Sequence, residues 1–85
     1  MRTVRPVHKR PKSDLAIVLR DYETDDVIGY VDLREALGSL RCSVEINRER
    51  SGSGTEVLRV RSYYTGRPLM DIDTSMLGDF VWEAL

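Results

Sequence analysis

Two alternating runs either side of a serine-glycine tetrapeptide constrain this chain more than any other feature. Cys42, Val44 and Ile46 alternate with polar residues before Ser51-Gly52-Ser53-Gly54, and Leu58 and Val60 do so after it. This is the period-two pattern of a half-buried β-hairpin. Pairing Ile46 with Leu58 and Val44 with Val60 predicts a three-residue turn at Ser51, Gly52 and Ser53, in which glycine supplies the left-handed conformation. That register sets Glu45 opposite Arg59 and Arg48 opposite Glu56. It predicts one apolar face and one face of cross-strand ion pairs worth about 0.2–1 kcal/mol each. A slip of one residue would bring Arg59 against Ile46 on the core face, so the register is specified.

Eighty-five residues make one domain, near the lower limit at which a single core suffices, burying about 60–65% of the unfolded surface. This leaves little room for a deep, water-free catalytic cavity. With 41% hydrophobic and 32% charged residues the chain is globular, and a formal charge of -1 fits neither a generic nucleic-acid binder nor an acidic mimic of DNA. Its one cysteine cannot form an internal disulfide, so a cytoplasmic setting is expected. There is no apolar run long enough to span a membrane, and the Arg- and Pro-rich start has no apolar core of a signal peptide.

The near-neutral total hides blocks of charge. Residues 1–12 carry Arg2, Arg5, Lys9, Arg10 and Lys12 with no acid, whereas residues 21–35 carry six acids against Arg34. Six arginines face three glutamates over 41–67, and Asp71, Asp73, Asp79 and Glu83 follow. Such blocks either neutralise one another in the fold or present separate poles, and self-paired solvated surfaces are the commoner outcome.

Residues 1–13, with Pro6 and Pro11 and no periodicity, read as a flexible basic arm, leaving residues 14–85 as a single small β-rich domain. Leu15 to Leu19 is a short apolar run and reads as a strand. Glu23-Thr24-Asp25-Asp26 is a polar turn, and Val27 to Val31 a second strand in which Gly29 marks a bulge or a close backbone approach. Leu33 to Leu40 forms either two turns of helix capped by Asp32 or an irregular loop. After the hairpin come a turn at Thr65-Gly66-Arg67-Pro68 and a strand over Leu69 to Ile72. Leu77, Phe80, Val81, Ala84 and Leu85 recur at helical spacing behind Asp73 or Thr74 as cap, which predicts a C-terminal helix over 74–85 flanked by Trp82. The fold class is therefore α+β, mostly β: a small antiparallel sheet or partly closed β-barrel with one C-terminal helix.

Residues suited to catalysis are few. His8 stands alone in the basic arm, which argues against a metal site or histidine-based nucleophilic chemistry. Cys42 reads as a small buried hydrophobe. Asp71 and Asp73 have the look of a paired-aspartate motif, but helix capping by Asp73 accounts for them better. Tyr63 and Tyr64 with Arg59, Arg61 and Arg67 form the nearest approach to a nucleic-acid surface, yet the domain lacks the matching net positive charge. No enzyme, cofactor or metal is expected.

The stretch Val18 to Leu33, running through Asp21-Tyr22-Glu23-Thr24-Asp25-Asp26 to Gly29-Tyr30-Val31-Asp32, resembles the first hairpin of PilZ domains, small β-barrels that bind cyclic di-GMP. Arg5-Pro6-Val7-His8-Lys9 is similar to the family's basic RxxxR arm with lysine in the second place. Asp32 matches the acidic residue of its D/N-x-S-x-x-G motif. Gly66-Arg67-Pro68-Leu69 is similar to the residues preceding the family's last strand. The chain departs from the motif where Arg34 replaces the serine, Leu37 the glycine, and Gly38 comes one residue late. The resemblance implies a ligand set of Arg5, Lys9, Arg10, Asp32 and Arg34, with cations closing on phosphate and arginine able to stack on a purine.

Two functions follow as expectations. One is a PilZ-like regulatory module that binds cyclic di-GMP or is a degenerate, non-binding version of one. The other is a small bacterial or phage-encoded adaptor or inhibitor acting by protein contact through the arm or an acidic face. An exposed sheet edge would also allow strand-to-strand dimerisation.

Overall fold

The computed structural model describes residues 2–34 and 43–85. Its strands are β1 (Arg2–Val4), β2 (Ala16–Asp21), β3 (Val27–Asp32), β4 (Val44–Arg50), β5 (Glu56–Ser62), β6 (Pro68–Asp73) and β7 (Phe80–Ala84). They form a four-stranded sheet in the order β1-β6-β5-β4 and a three-stranded sheet in the order β3-β2-β7. Ile17, Leu19 and Val31 from the smaller sheet meet Leu58, Val60, Met70 and Ile72 from the larger one, with Leu33 and Phe80, in a single core.

β2 shows how local sequence leads to placement. Ala16, Ile17, Val18 and Leu19 are all buried, as expected of a strand with neighbours on both edges and cover on both faces. β3 supplies one neighbour and β7 the other, both antiparallel.

That second neighbour overturns the expected C-terminal helix. Residues 80–84 are a strand, paired from Ile17↔Ala84 to Asp21↔Phe80, and residues 74–85 hold no helix. The apolar spacing fits a helix, but Phe80, Val81 and Trp82 are strand formers. Gly78 would cost a helix interior about 1 kcal/mol, and twelve residues are marginal for a helix without strong packing. Asp73 caps a turn: its Oδ1 accepts the Ser75 amide at 3.0 Å and the Ser75 hydroxyl at 2.6 Å.

The partly closed barrel is likewise absent: among the described residues no strand of one sheet pairs along its length with a strand of the other. At one side the chain itself spans the gap, with β1 parallel to β6 and Val7 bridged to Tyr30 of β3. The Val7 amide donates to the Tyr30 carbonyl at 2.8 Å, and the Tyr30 amide to the Val7 carbonyl at 2.7 Å. At the other side the Arg48 side chain reaches across: its guanidinium lies 4.1 Å from the centre of the Phe80 ring and donates to the Phe80 carbonyl. The segment expected as an arm thus contributes a strand and a bridge.

The β4–β5 hairpin forms, with its register displaced by two residues from the expected one. Val44 pairs with Ser62, Ile46 with Val60, Arg48 with Leu58 and Arg50 with Glu56. The loop is five residues long, closed by the Ser51 amide on the Thr55 carbonyl at 2.8 Å, and Gly54 rather than Gly52 takes the left-handed position with φ 84°. An even displacement preserves which side chains share a face. It puts Glu45 opposite Arg61, and it leaves Arg48 on the side of Val44 and Ile46, from which it reaches Phe80.

Gly29 meets both expectations placed on it. The β2–β3 register shifts beside it, between Leu19 and Arg20, and a Cβ at Gly29 would stand 2.7 Å from Pro6 Cβ. Of the Leu33–Leu40 alternatives, only Leu33 and Arg34 are described, with helical backbone and the Arg34 amide on Asp32 Oδ1 at 2.9 Å. The remainder, and Cys42, lie outside the described residues.

Candidate functional site

Three surfaces could act chemically or as contacts. The first is a pocket of about 230 Å³ where Arg5, Pro6 and His8 cross above Ile28 of β3 and face Asp73, Met76 and Leu77 of the β6–β7 connection. Gly29 makes it, because only a residue without Cβ lets Pro6 lie so close to β3. The cation in it is already answered: Arg5 Nε is 3.5 Å from Asp73 Oδ2. The Ser75 hydroxyl first, then the Ser75 amide and Arg5, hold the Asp73 carboxyl below its ordinary range.

The other residues implied as ligands lie apart from this pocket. Arg34 pairs with Asp14, Nη2 to Oδ1 at 3.1 Å, and Asp32 accepts the Arg34 amide. Lys9 and Arg10 are exposed and do not line the pocket. Of the predicted set, then, this pocket holds only Arg5, together with His8.

The second surface is the outer face of the larger sheet, where alternation in β5 and β6 presents Arg59, Arg61 and Asp71. Arg59 grips Asp71 through two parallel hydrogen bonds, Nε to Oδ1 at 2.8 Å and Nη2 to Oδ2 at 3.1 Å, the fork geometry of strong arginine-carboxylate pairing. Glu49 accepts from Arg61 at 2.7 Å and 3.0 Å and lies 3.4 Å from Arg59. The Arg61 hydrogen bond lowers the Glu49 pKa. Asp71 raises that of Arg59, and Glu49 that of Arg61. Two cations and two anions satisfy one another, so this face has the chemistry of a structural network. Asp71, read from the sequence with a capping aspartate, belongs to it. The T-shaped Tyr63–Tyr64 pair is exposed at the β5–β6 turn, its ring centres 5.5 Å apart.

The third surface is the outer edge of β7, an end strand among the described residues, which sequence reasoning placed on a helix. Val81 is 45% exposed, Trp82 37% and Leu85 36%. The Asp79 carbonyl accepts the Tyr22 amide and the Leu85 amide donates to the Ala16 carbonyl, so odd-numbered residues point their backbone groups at β2. By the alternation of antiparallel pairing, Phe80, Trp82 and Ala84 point theirs outward. Among the described residues, the outward groups of Trp82 and Ala84 meet no strand. The available signal was the density of strand formers in Phe80-Val81-Trp82.

Among the described residues no three His, Cys, Asp or Glu side chains come together as a metal site, and no helix is long and apolar enough to cross a membrane. Compared with protein-family models, with curated proteins and with solved structures, the chain finds no match.

Proposed function

We propose that this chain is a non-enzymatic binding module that acts by protein contact, as a small adaptor or inhibitor in a reducing, cytoplasmic setting. The observation that carries this reading is the β7 edge, where exposed Val81, Trp82 and Leu85 accompany outward backbone groups. Tryptophan is concentrated at the centres of protein interfaces, and an open strand edge offers main-chain hydrogen bonds to an extended partner.

The PilZ-like reading, with cyclic di-GMP as ligand, stands second because Arg5 and His8 do meet at a pocket. Three features weigh against it. The volume of about 230 Å³ is below the range of about 300–1,000 Å³ typical of small-molecule sites. Asp73 neutralises Arg5 and would repel a phosphate. Lys9, Arg10 and Arg34 lie elsewhere.

Two measurements on the folded protein separate the readings. Cell extract passed over the immobilised wild type and the Trp82→Ala variant should yield a protein retained by the first and lost by the second. Calorimetric titration with cyclic di-GMP should give no saturable heat. Saturable binding that disappears in Arg5→Ala would replace the contact reading with the receptor one.

A further inference from the structure

The geometry of the β7 edge points to its occupant: we propose that β7 pairs antiparallel with β7 of a second copy of this chain. The two smaller sheets then join into one continuous sheet in the order β3-β2-β7-β7-β2-β3. This pairing rests on the protein-contact reading above and names its partner.

The two sheets end in four strands, and three are guarded. β3 receives Val7 through two backbone hydrogen bonds. β1 is three residues long. β4 is rich in charge, with Glu45, Arg48, Glu49 and Arg50 among its seven residues, a composition that discourages a further strand. β7 is the least guarded: it has one charged residue and no proline or lysine, its pairing with β2 runs without a bulge, and Arg48 reaches it at its Phe80 end. Exposed edges of this kind are templates for a further strand.

Charge complementarity selects both a second copy and the register. A two-fold axis at Trp82 sets Trp82 against Trp82 of the partner copy, Phe80 against Ala84, and Val81 against Glu83. Every outward amide and carbonyl then finds its counterpart. The Phe80 carbonyl, which Arg48 already uses, has a second lone pair for the incoming Ala84 amide. Sliding the axis to Glu83 would instead place two carboxylates face to face, which is destabilising. With the axis at Trp82 each Glu83 lies across from Val81, whose β2 neighbour is Arg20. Arg20 holds Glu83 of its own chain at 3.1 Å, so in the pair two arginines and two glutamates share one face and balance in charge. The contact is isologous and closes as a dimer.

Sedimentation velocity on the whole chain, from low micromolar to near-millimolar concentration, tests this with two substitutions at the exposed position 81. The wild type should dimerise with concentration. Val81→Glu should raise the dimer dissociation constant about tenfold, because symmetry applies the repulsion from Glu83 twice. Val81→Lys should leave it unchanged or lower it. Circular dichroism confirms that each variant is folded. A wild type that stays monomeric throughout, or a dimer indifferent to the sign of the charge at position 81, overturns the pairing. If the wild type is monomeric yet still loses an extract partner on Trp82→Ala, the second copy is wrong and the contact reading stands. If both fail, so does the reading beneath it.

Discussion

Replacing Gly29 by alanine should reveal how the N-terminal segment is held. The added Cβ would stand 2.7 Å from Pro6 Cβ and 3.3 Å from the Val7 carbonyl oxygen, whereas two carbons settle at about 3.5–4.0 Å. The shortfall at Pro6 is about 1 Å, against a rigid ring next to a residue fixed by two hydrogen bonds to Tyr30. Gly29 is not among the positive-φ glycines, Gly54 and Gly66, so the penalty is one of space. If the segment stays docked, crowding of this kind costs about 1–3 kcal/mol. If it lifts, two hydrogen bonds at about 0.5–1.5 kcal/mol each are lost, which gives a similar total. For a domain of this size the melting temperature should fall by about 5–20 °C. Thermal unfolding followed by circular dichroism measures the fall, and hydrogen exchange at the Val7 and Tyr30 amides separates the routes, since only lifting removes their protection. Pro6→Gly combined with Gly29→Ala removes the clashing atom and should recover part of the loss. A melting temperature equal to that of the wild type, with both amides still protected, would refute the steric argument.

Arg48→Ala should lower stability by about 1–2 kcal/mol in urea unfolding, through loss of the Phe80 ring contact and the Phe80 carbonyl bond. Arg48→Met should recover some of this through its apolar stem, and an unchanged urea midpoint in Arg48→Ala would count against the cross-sheet role. Leu58, fully buried, should cost about 2–5 kcal/mol as Leu58→Ala by the same method. Asp21, Glu49 and Asp73 all titrate below their ordinary values in the folded chain, so on acidification the unfolded chain takes up protons first. Their contribution is complete above the ordinary carboxylate range of about 4 and is lost as the pH falls through the lowered folded values. The urea midpoint should therefore decline in that window, and Asp73→Asn should flatten the decline.

Much of the strand pattern was legible because it is local. The run Leu15 to Leu19 declared a strand, and the alternation at Val44, Ile46, Leu58 and Val60 fixed which side chains face the core. The hairpin register was missed because Gly52 and Gly54 both allow a left-handed turn, and only the serine and threonine bonds that close the longer loop choose between them. The C-terminal segment was misread because Leu77, Phe80, Val81 and Ala84 satisfy helical spacing and strand propensity alike. What decides is β2, more than fifty residues earlier, needing a second neighbour. The candidate site shows the same limit: Arg5 was legible as a cation in a basic segment, but its answer from Asp73 depends on a path between sheets that no local pattern encodes. Arg48 could have been noticed, since it continues the alternation of Val44 and Ile46 where a hydrophobe would be expected.

The pairing of Arg2 with Met70 and of Ile17 with Ala84 also sets a timetable. Each sheet includes an early strand that waits for a late one, so most stabilising contacts join residues far apart in sequence, and such topologies fold in milliseconds to seconds rather than microseconds. During synthesis, β2 emerges apolar on both faces with β3 as its only neighbour, and its other edge stays bare until residues 80–84 leave the ribosome. That interval is when the nascent chain is most prone to aggregate. A ribosome that stalls before Phe80 leaves β2 half paired, a substrate for chaperones or proteases.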